Sequence, residues 1–303
     1  MIIPIYNEEK ILPELYHRLA ETLKLVTADY ELIFVNDGSF DSTAEILTGF
    51  SKENEKVKYI NFSRNFGHQV AISAGIDYCT GDAAVIMDGD LQDPPELIPR
   101  FLEKYNQGYQ VVYARRIARK GESVFKKLVA RIFYRILKRI TSIDIPMDTG
   151  DFRLIDRKII DYLKQMPERS KFLRGQIAWL GFKQTFVDFE RQKRLAGKPG
   201  YTFKKLVNLA VDGITAFSDR PLRFVTNAGI IVSAIAFAII LYALLSYIIA
   251  GKPVAGWTSL ILSITFFGGV QLISIGIIGE YISRINTDVR KRPLYIVDQT
   301  NIG

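Results

Sequence analysis

Residues 84–95 read AVIMDGDLQDPP: an apolar run with the make-up of a buried strand stops at Met87 and is followed at once by Asp88, Asp90 and Asp93. A strand ending on so much negative charge brings carboxylates to one edge of a sheet, where they need a counter-ion or a ligand. Around this stretch, β-rich runs alternate with helical patterns up to about residue 115. The strands expected are Ile2 to Ile5, Glu31 to Asn36, Val57 to Phe62, Ala83 to Met87 and Gln110 to Tyr113. Helical spacing lies between them, at Glu8 to Val26, Ser42 to Asn54, Gly67 to Cys79 and Pro95 to Asn106. This order predicts an α/β fold with a mainly parallel sheet covered by helices. Ligands of such sheets gather at the carboxyl ends of the strands. PIYNEE, VNDGS, FSRNFGHQ and MDGDLQDPP all fall at those ends.

The C-terminal third has a different composition. From Phe224 to Ala250, and again from Trp257 to Tyr281, apolar residues are dense and Glu280 is the only charged side chain. Each run is long enough as a helix to cross a hydrocarbon core of roughly 30 Å. Only residues 251–256, GKPVAG, separate them, so the two spans are expected to form an antiparallel hairpin with both flanks on one side. Arg220, Arg223, Arg284, Arg290, Lys291 and Arg292 lie on the flanks, against Lys252 in the loop. The positive-inside rule then puts the N-terminal domain, residues 1–200, and the tail, residues 283–303, in the cytoplasm beneath the inner membrane. The start, MIIPIYNEEK, has neither the basic n-region nor the long apolar h-region of a signal peptide.

One cysteine, Cys79, excludes an internal disulfide and a cysteine metal cluster, and is expected in the core. The formal charge of +8 is concentrated: ten Lys or Arg against one Glu lie between Arg115 and Arg139. Phe125, Leu128, Val129, Ile132, Phe133, Ile136, Leu137 and Ile140 recur there at helical spacing. A basic amphipathic helix over 123–140 suits an anionic leaflet; the alternative is an ordinary helix packed on the domain with its basic side in water. With two spans on the same chain, the membrane surface is the expected partner and nucleic acid is not. Residues 201–223 read as a second interfacial helix leading into the first span.

PIYNEE, VNDGSFDST, NFGHQVAISAG and MDGDLQDPP in this order resemble the inverting family-two glycosyltransferases with a GT-A fold. DTGDFRLIDRK, RGQIAWLG and the hairpin narrow the resemblance to polyprenyl-phosphate glycosyltransferases, namely the bactoprenol-phosphate glucosyltransferases and the related dolichyl-phosphate mannose synthases. The resemblance covers essentially the whole chain. It implies a Rossmann-like GT-A domain that transfers glucose from UDP-glucose to a polyprenyl phosphate with inversion. Alternatives are a mannose synthase using GDP-mannose and a nucleotide-binding membrane scaffold without turnover. A processive polysaccharide synthase is disfavoured, because the QxxRW signature is here Gln176, Ile177, Ala178, Trp179 with no arginine.

By the same resemblance, Pro4, Tyr6, Glu8 and Asp37 contact the nucleoside, although Tyr6 also reads as a packing aromatic. Asp90 is expected to ligate Mg²⁺ or Mn²⁺, and Asp88 to touch either ribose or the metal. Such a cation lets a carboxylate cluster accept a diphosphate. Gly89 keeps the turn open for close backbone approach. Asp93 is either a helix N-cap or part of the site, and Ser39 and Asp41 are expected to start the next helix. His68 has no partner nameable from sequence and reads as an exposed or capping histidine.

Asp151 occupies the position of the family's acceptor-side carboxylate, with Asp148 second. A lipid monophosphate with a second pKa near 6 is largely ionised at neutral pH, so orienting substrates suits Asp151 as well as removing a proton. Acceptor-phosphate contacts are expected from Arg115, Arg153, Arg174, Arg194, Lys198 and Tyr201. The chain departs from the family here, reading AGKPGY over 196–201 where AGESKY is usual. Small residues Gly268, Gly269, Gly276 and Gly279 suit tight helix packing, and a homo-oligomer is expected.

Overall fold

Leu12, Leu15, Leu19 and Leu23 recur at three- and four-residue steps, so one face of the first helix is apolar, and all four are buried. Helix α1 (Leu12–Lys24) begins later than its pattern suggests. Asn7 adopts a left-handed backbone, φ 54°, and Glu8 closes a turn to Ile11 before Pro13 enters the first helical turn. The same logic of one buried face builds the rest of the domain. The computed structural model describes residues 1–26, 29–117, 146, 149–190, 215, 218–250 and 256–302. The expected amphipathic helix over 123–140 lies outside the described residues, as do Asp148, Arg194, Lys198, Tyr201 and most of the expected 201–223 helix.

The strands are β1 (Ile2–Ile5), β2 (Leu32–Asn36), β3 (Val57–Phe62), β4 (Ala83–Ile86), β5 (Val111–Arg116), β6 (Thr149–Asp156), β7 (Gln184–Phe189) and β8 (Val297–Thr300). They form one sheet in the order β7-β5-β6-β4-β1-β2-β3-β8. Among the described strands only β6 and β8 run against the others, giving the mainly parallel Rossmann-like GT-A sheet. Helices α1, α2 (Thr43–Glu53) and α4 (Ile98–Asn106) cover one face over Phe34, Phe101 and Phe152. Helices α3 (His68–Tyr78), α5 (Arg157–Gln165) and α6 (Leu173–Trp179) cover the other over Val35, Ile86 and Ile155. Cys79 is buried in this second layer, as expected, and burial pushes its thiol pKa up.

Three strands went unread in the sequence, β6, β7 and β8. Strand β6 carries Asp151 and Arg153 in the middle of a buried segment, inserted between β4 and β5. Strand β8 turns the expected tail into part of the sheet, pairing antiparallel with β3. Asn301 clamps this edge, its Nδ2 donating to Val57 O at 2.9 Å and its Oδ1 accepting from Tyr59 N at 2.8 Å. Tyr295 stacks on Phe62, with ring centroids 5.0 Å apart, and donates to Asp77 Oδ2 at 2.9 Å.

Between β7 and β8 run α7 (Arg220–Ala250) and α8 (Trp257–Val289), both long and apolar enough to cross a membrane. Tyr281 donates to Ser218 O at 2.7 Å, which sets the end of α8 beside the start of α7, an antiparallel hairpin. Phe224, Phe237 and Leu272 are among the exposed apolar side chains along it. The hairpin meets the domain at Arg169 N, which donates to Asp288 Oδ1 at 2.8 Å, and at Ser63 N, which donates to Ile296 O at 3.1 Å. Ser63 directly follows β3, so the second junction lies at the carboxyl end of the parallel strands. The loops named above lie at that end as well.

Gly38 shows how tightly the second of these loops is packed. Its φ is +66°, and a Cβ there would lie 2.3 Å from the carbonyl carbon of Arg64. Gly38→Ala is expected to lower stability by about 1–3 kcal/mol through overlap with backbone, and by about 1 kcal/mol more through the left-handed conformation. Gly67→Ala is the control, since φ is +108° but nothing lies within 4 Å of the added methyl. Denaturant titration of the two solubilised variants should show the larger loss at Gly38; equal losses would contradict the packing argument.

Candidate active site

The first two loops are stitched together by side chains. Asn7 N donates to Ser39 Oγ at 2.9 Å, and Asn7 Oδ1 accepts from Phe40 N at 3.0 Å. Glu9 N donates to Asp41 Oδ2 at 3.2 Å, while Glu9 Oε2 accepts from Ser42 N at 3.1 Å. Asp41 also takes Thr43 N at the start of α2. Ser39 and Asp41 therefore join two strand ends, a wider role than starting a helix. Pro4 is buried in β1, and Tyr6 is exposed at the rim, edge-on to Phe40 at 5.9 Å. Glu8 donates through its amide to Thr43 Oγ1 at 3.3 Å.

Asp37 reaches across to the third strand end. Its carboxylate accepts from Phe66 N at 2.6 Å and from Gly67 N at 2.9 Å, fixing the residues that lead into α3. Burial raises its pKa, and the two amides work against that rise. The next residue, His68, is the first of α3 and points its ring to the fourth strand end.

There His68 is exposed, as expected, but it caps no helix and has partners the sequence did not name. Its Nε2 lies 3.2 Å from Asp151 Oδ2 and 3.3 Å from Asp88 Oδ1, although the side chain keeps 45% of its surface. Burial opposes the charged ring, but the Asp151 and Asp88 carboxylates beside it prevail and raise its pKa to about 10. Both partners are remote in sequence, so nothing local could have announced the contact. It arises because β6 sits beside β4.

Asp151 is the centre of this cluster. Oδ1 accepts from Arg153 Nη2 at 2.7 Å and Arg174 Nε at 3.1 Å. Oδ2 accepts from Arg174 Nη2 at 3.3 Å and Gln69 Nε2 at 3.4 Å, besides meeting His68. Burial alone would raise its pKa; Arg174, His68 and Arg153 together hold it well below the usual carboxylate range. A carboxylate so fully engaged is a weak base and a strong anchor. Arg153 is 1% exposed and also donates to the Asp151 and Gly150 carbonyls.

The acidic turn itself is compact. Gly89 permits close approach to β1, since a Cβ there would lie 2.3 Å from Ile5 Cδ1 and 3.2 Å from Pro4 O. Leu91 adopts a left-handed φ of 53°, and Asp90 Oδ1 accepts from Gln92 N at 3.1 Å. Asp93 caps no helix: the 3-10 turn Pro95–Leu97 has no side-chain cap, and Asp93 is buried 3.6 Å from Arg116 Nη2. Arg116 also lies over Gly150, and sequence reading passed it by. The neighbouring Arg115 turns instead to the sheet edge, donating to both Asp188 oxygens at 2.6 and 2.9 Å.

The residues present suit the divalent cation implied by the family resemblance. Asp88 Oδ1 is buried and accepts no hydrogen bond, which marks a carboxylate oxygen placed for a cation. His68, Asp88 and Asp151 offer ligand atoms within 4.8 Å of one another. Asp90 is not in that group and faces its own turn. The structure thus draws Asp88 towards Asp151, where the sequence paired it with Asp90.

Residues 1–163 match the family model described as Glycosyl transferase family 2. The chain is 49% identical over 300 residues to "Uncharacterized glycosyltransferase YkcC" of Bacillus subtilis, covering 99% of this chain and 93% of that protein. It is 40% identical over 297 residues to "Prophage bactoprenol glucosyl transferase homolog" of Escherichia coli, covering 98% and 97%. It is 39% identical over 303 residues to "SfII prophage-derived bactoprenol glucosyl transferase" of Shigella flexneri, covering 100% and 98%. With the family matched over more than half its length, and with relatives this similar from end to end, the chain belongs to glycosyl transferase family 2.

Proposed function

We propose that this chain transfers glucose from UDP-glucose to a polyprenyl phosphate, inverting the anomeric carbon and releasing UDP. The observation that carries this reading is the full-length similarity, at 39–40% identity, to proteins named bactoprenol glucosyl transferase. Geometry supports it: the loop cluster lies at the end of the sheet where the apolar hairpin joins, so a lipid-tethered phosphate has a short way to travel.

In this reading Pro4, Tyr6, Glu8 and Asp37 hold the nucleoside, and Asp88, Gly89 and Asp90 face the diphosphate. Asp88 and Asp90 hold Mg²⁺ or Mn²⁺, which offsets the diphosphate charge. An acceptor phosphate oxygen attacks C1 of glucose from the face opposite UDP; the C1–O bond to the β-phosphate breaks, and the electron pair leaves with UDP. The attacking phosphate is already ionised, and Asp151 orients Arg174 and Arg153 for it without taking a proton. Arg194, Lys198 and Tyr201 extend the acceptor contacts towards the membrane, while Arg115 is taken up by Asp188. The hairpin spans the inner membrane with the catalytic domain cytoplasmic, following the Lys and Arg flanks.

The test is turnover by the purified chain with labelled sugar nucleotides, polyprenyl phosphate and Mg²⁺ or Mn²⁺. A β-linked polyprenyl-phosphate-glucose is expected from UDP-glucose. Product from GDP-mannose alone would overturn the donor, and no product with any donor would leave a nucleotide-binding scaffold.

A further inference from the structure

We propose that His68 couples the donor site to the acceptor site, so that filling the first tightens the second. This rests on the function proposed above and adds a positioning residue to it. Ionised carboxylates only accept hydrogen bonds, so a ring nitrogen placed 3.2 Å from Asp151 and 3.3 Å from Asp88 must carry a hydrogen. One N–H serves one acceptor well. Here two acceptors compete for it: it bonds Asp151 at 3.2 Å, with Asp88 Oδ1 only 3.3 Å away and not otherwise hydrogen-bonded.

The imidazole cannot simply withdraw from this choice. It follows Gly67, whose amide and that of Phe66 are held by Asp37 on the second strand end. The next side chain, Gln69, donates to Asp151 Oδ2 at 3.4 Å and accepts from Leu173 N at 3.3 Å, at the start of the helix bearing Arg174. The dipeptide His68-Gln69 thus links a nucleoside-side acid, a diphosphate-side acid and the acceptor-side cluster through adjacent residues. When Asp88 turns to a diphosphate and its cation, the His68 N–H is committed to Asp151 Oδ2. That oxygen already shares the longer of the two Arg174 bonds, 3.3 Å against 3.1 Å, so Arg174 Nη2 is the group released towards an incoming phosphate.

The experiment measures binding rather than turnover. Affinity for farnesyl phosphate in detergent is titrated with and without saturating UDP and Mn²⁺, for the full-length chain and for His68→Ala and His68→Asn. Thermal melts establish that the variants fold. The wild type is expected to bind farnesyl phosphate on the order of tenfold more tightly when UDP and Mn²⁺ are present. In both variants the presence of UDP and Mn²⁺ should change the affinity for farnesyl phosphate by less than about twofold, whatever the affinity for each ligand alone. Coupling that survives in folded variants overturns the role of His68, as does a wild type that binds both ligands independently. A wild type that binds neither UDP nor farnesyl phosphate overturns the proposed function, and this inference with it.

Discussion

Asp151→Asn is expected to reduce kcat roughly 10²–10³-fold, the range associated with losing a preorganised electrostatic contact, and to lower thermal stability in the same protein. The two losses have different origins. Arg153 is fully buried beside Asp151, and removing the carboxylate leaves a buried guanidinium without its counter-charge. Breaking a buried pair by deleting one partner costs about 3–5 kcal/mol. In a chain of this size the melting temperature should fall on the order of 10 °C. Replacing both members, Asp151→Leu with Arg153→Leu, removes the stranded charge and should recover much of the stability. Activity should stay lost, because Arg174 and His68 still lack the anchor that aims them. Differential scanning fluorimetry alongside glucosyl transfer measures both quantities. Should the double variant regain turnover with its stability, Asp151 is a structural residue and its place in the site is wrong.

The parts of this site that were legible in the sequence are those carried by local pattern. Strands β1 to β4 read correctly because their apolar runs end in polar turns, and those turns held the residues found at the sheet's active end. Strand β6 was illegible for a physical reason: TGDFRLID puts Asp151 and Arg153 at central, buried positions, and only tertiary pairing makes that tolerable. The partners of His68 were missed for the same reason, since they depend on β6 being inserted beside β4. The two arginines ending β5 differ by one residue and hence by direction. Arg115 pairs with Asp188 and Arg116 with Asp93, beside a register shift between Tyr113 and Arg115. A bulge of that kind leaves no trace in composition. Strand β8 was missed because VDQT has the polarity of a tail, and its stability comes from Tyr295 and Asn301 on β3.

The second large effect expected is on the cation. Asp88 and Asp90 sit in one turn, Asp151 lies across from Asp88, and a sugar-nucleotide diphosphate adds about two negative charges. At about 4 Å and an effective dielectric near 20, each like-charge pair costs about 4 kcal/mol. Arg153 and Arg174 are directed at Asp151, and His68, 3.3 Å from Asp88 Oδ1, is shared between Asp88 and Asp151, so the charge facing a diphosphate is only partly offset. Removing divalent metal by chelation is therefore expected to weaken UDP-glucose binding at least about 100-fold, and turnover with it. Asp88→Asn and Asp90→Asn separate repulsion from ligation, because each deletes a charge as well as a ligand. With Mn²⁺ present both variants should bind UDP-glucose less tightly than wild type. Under chelation the order should invert, since the variants repel the diphosphate less. Isothermal titration with and without chelator reads this crossing directly. Parallel behaviour of wild type and variants, or wild-type binding indifferent to chelation, would mean that the acidic turn serves the fold and that the diphosphate lies elsewhere.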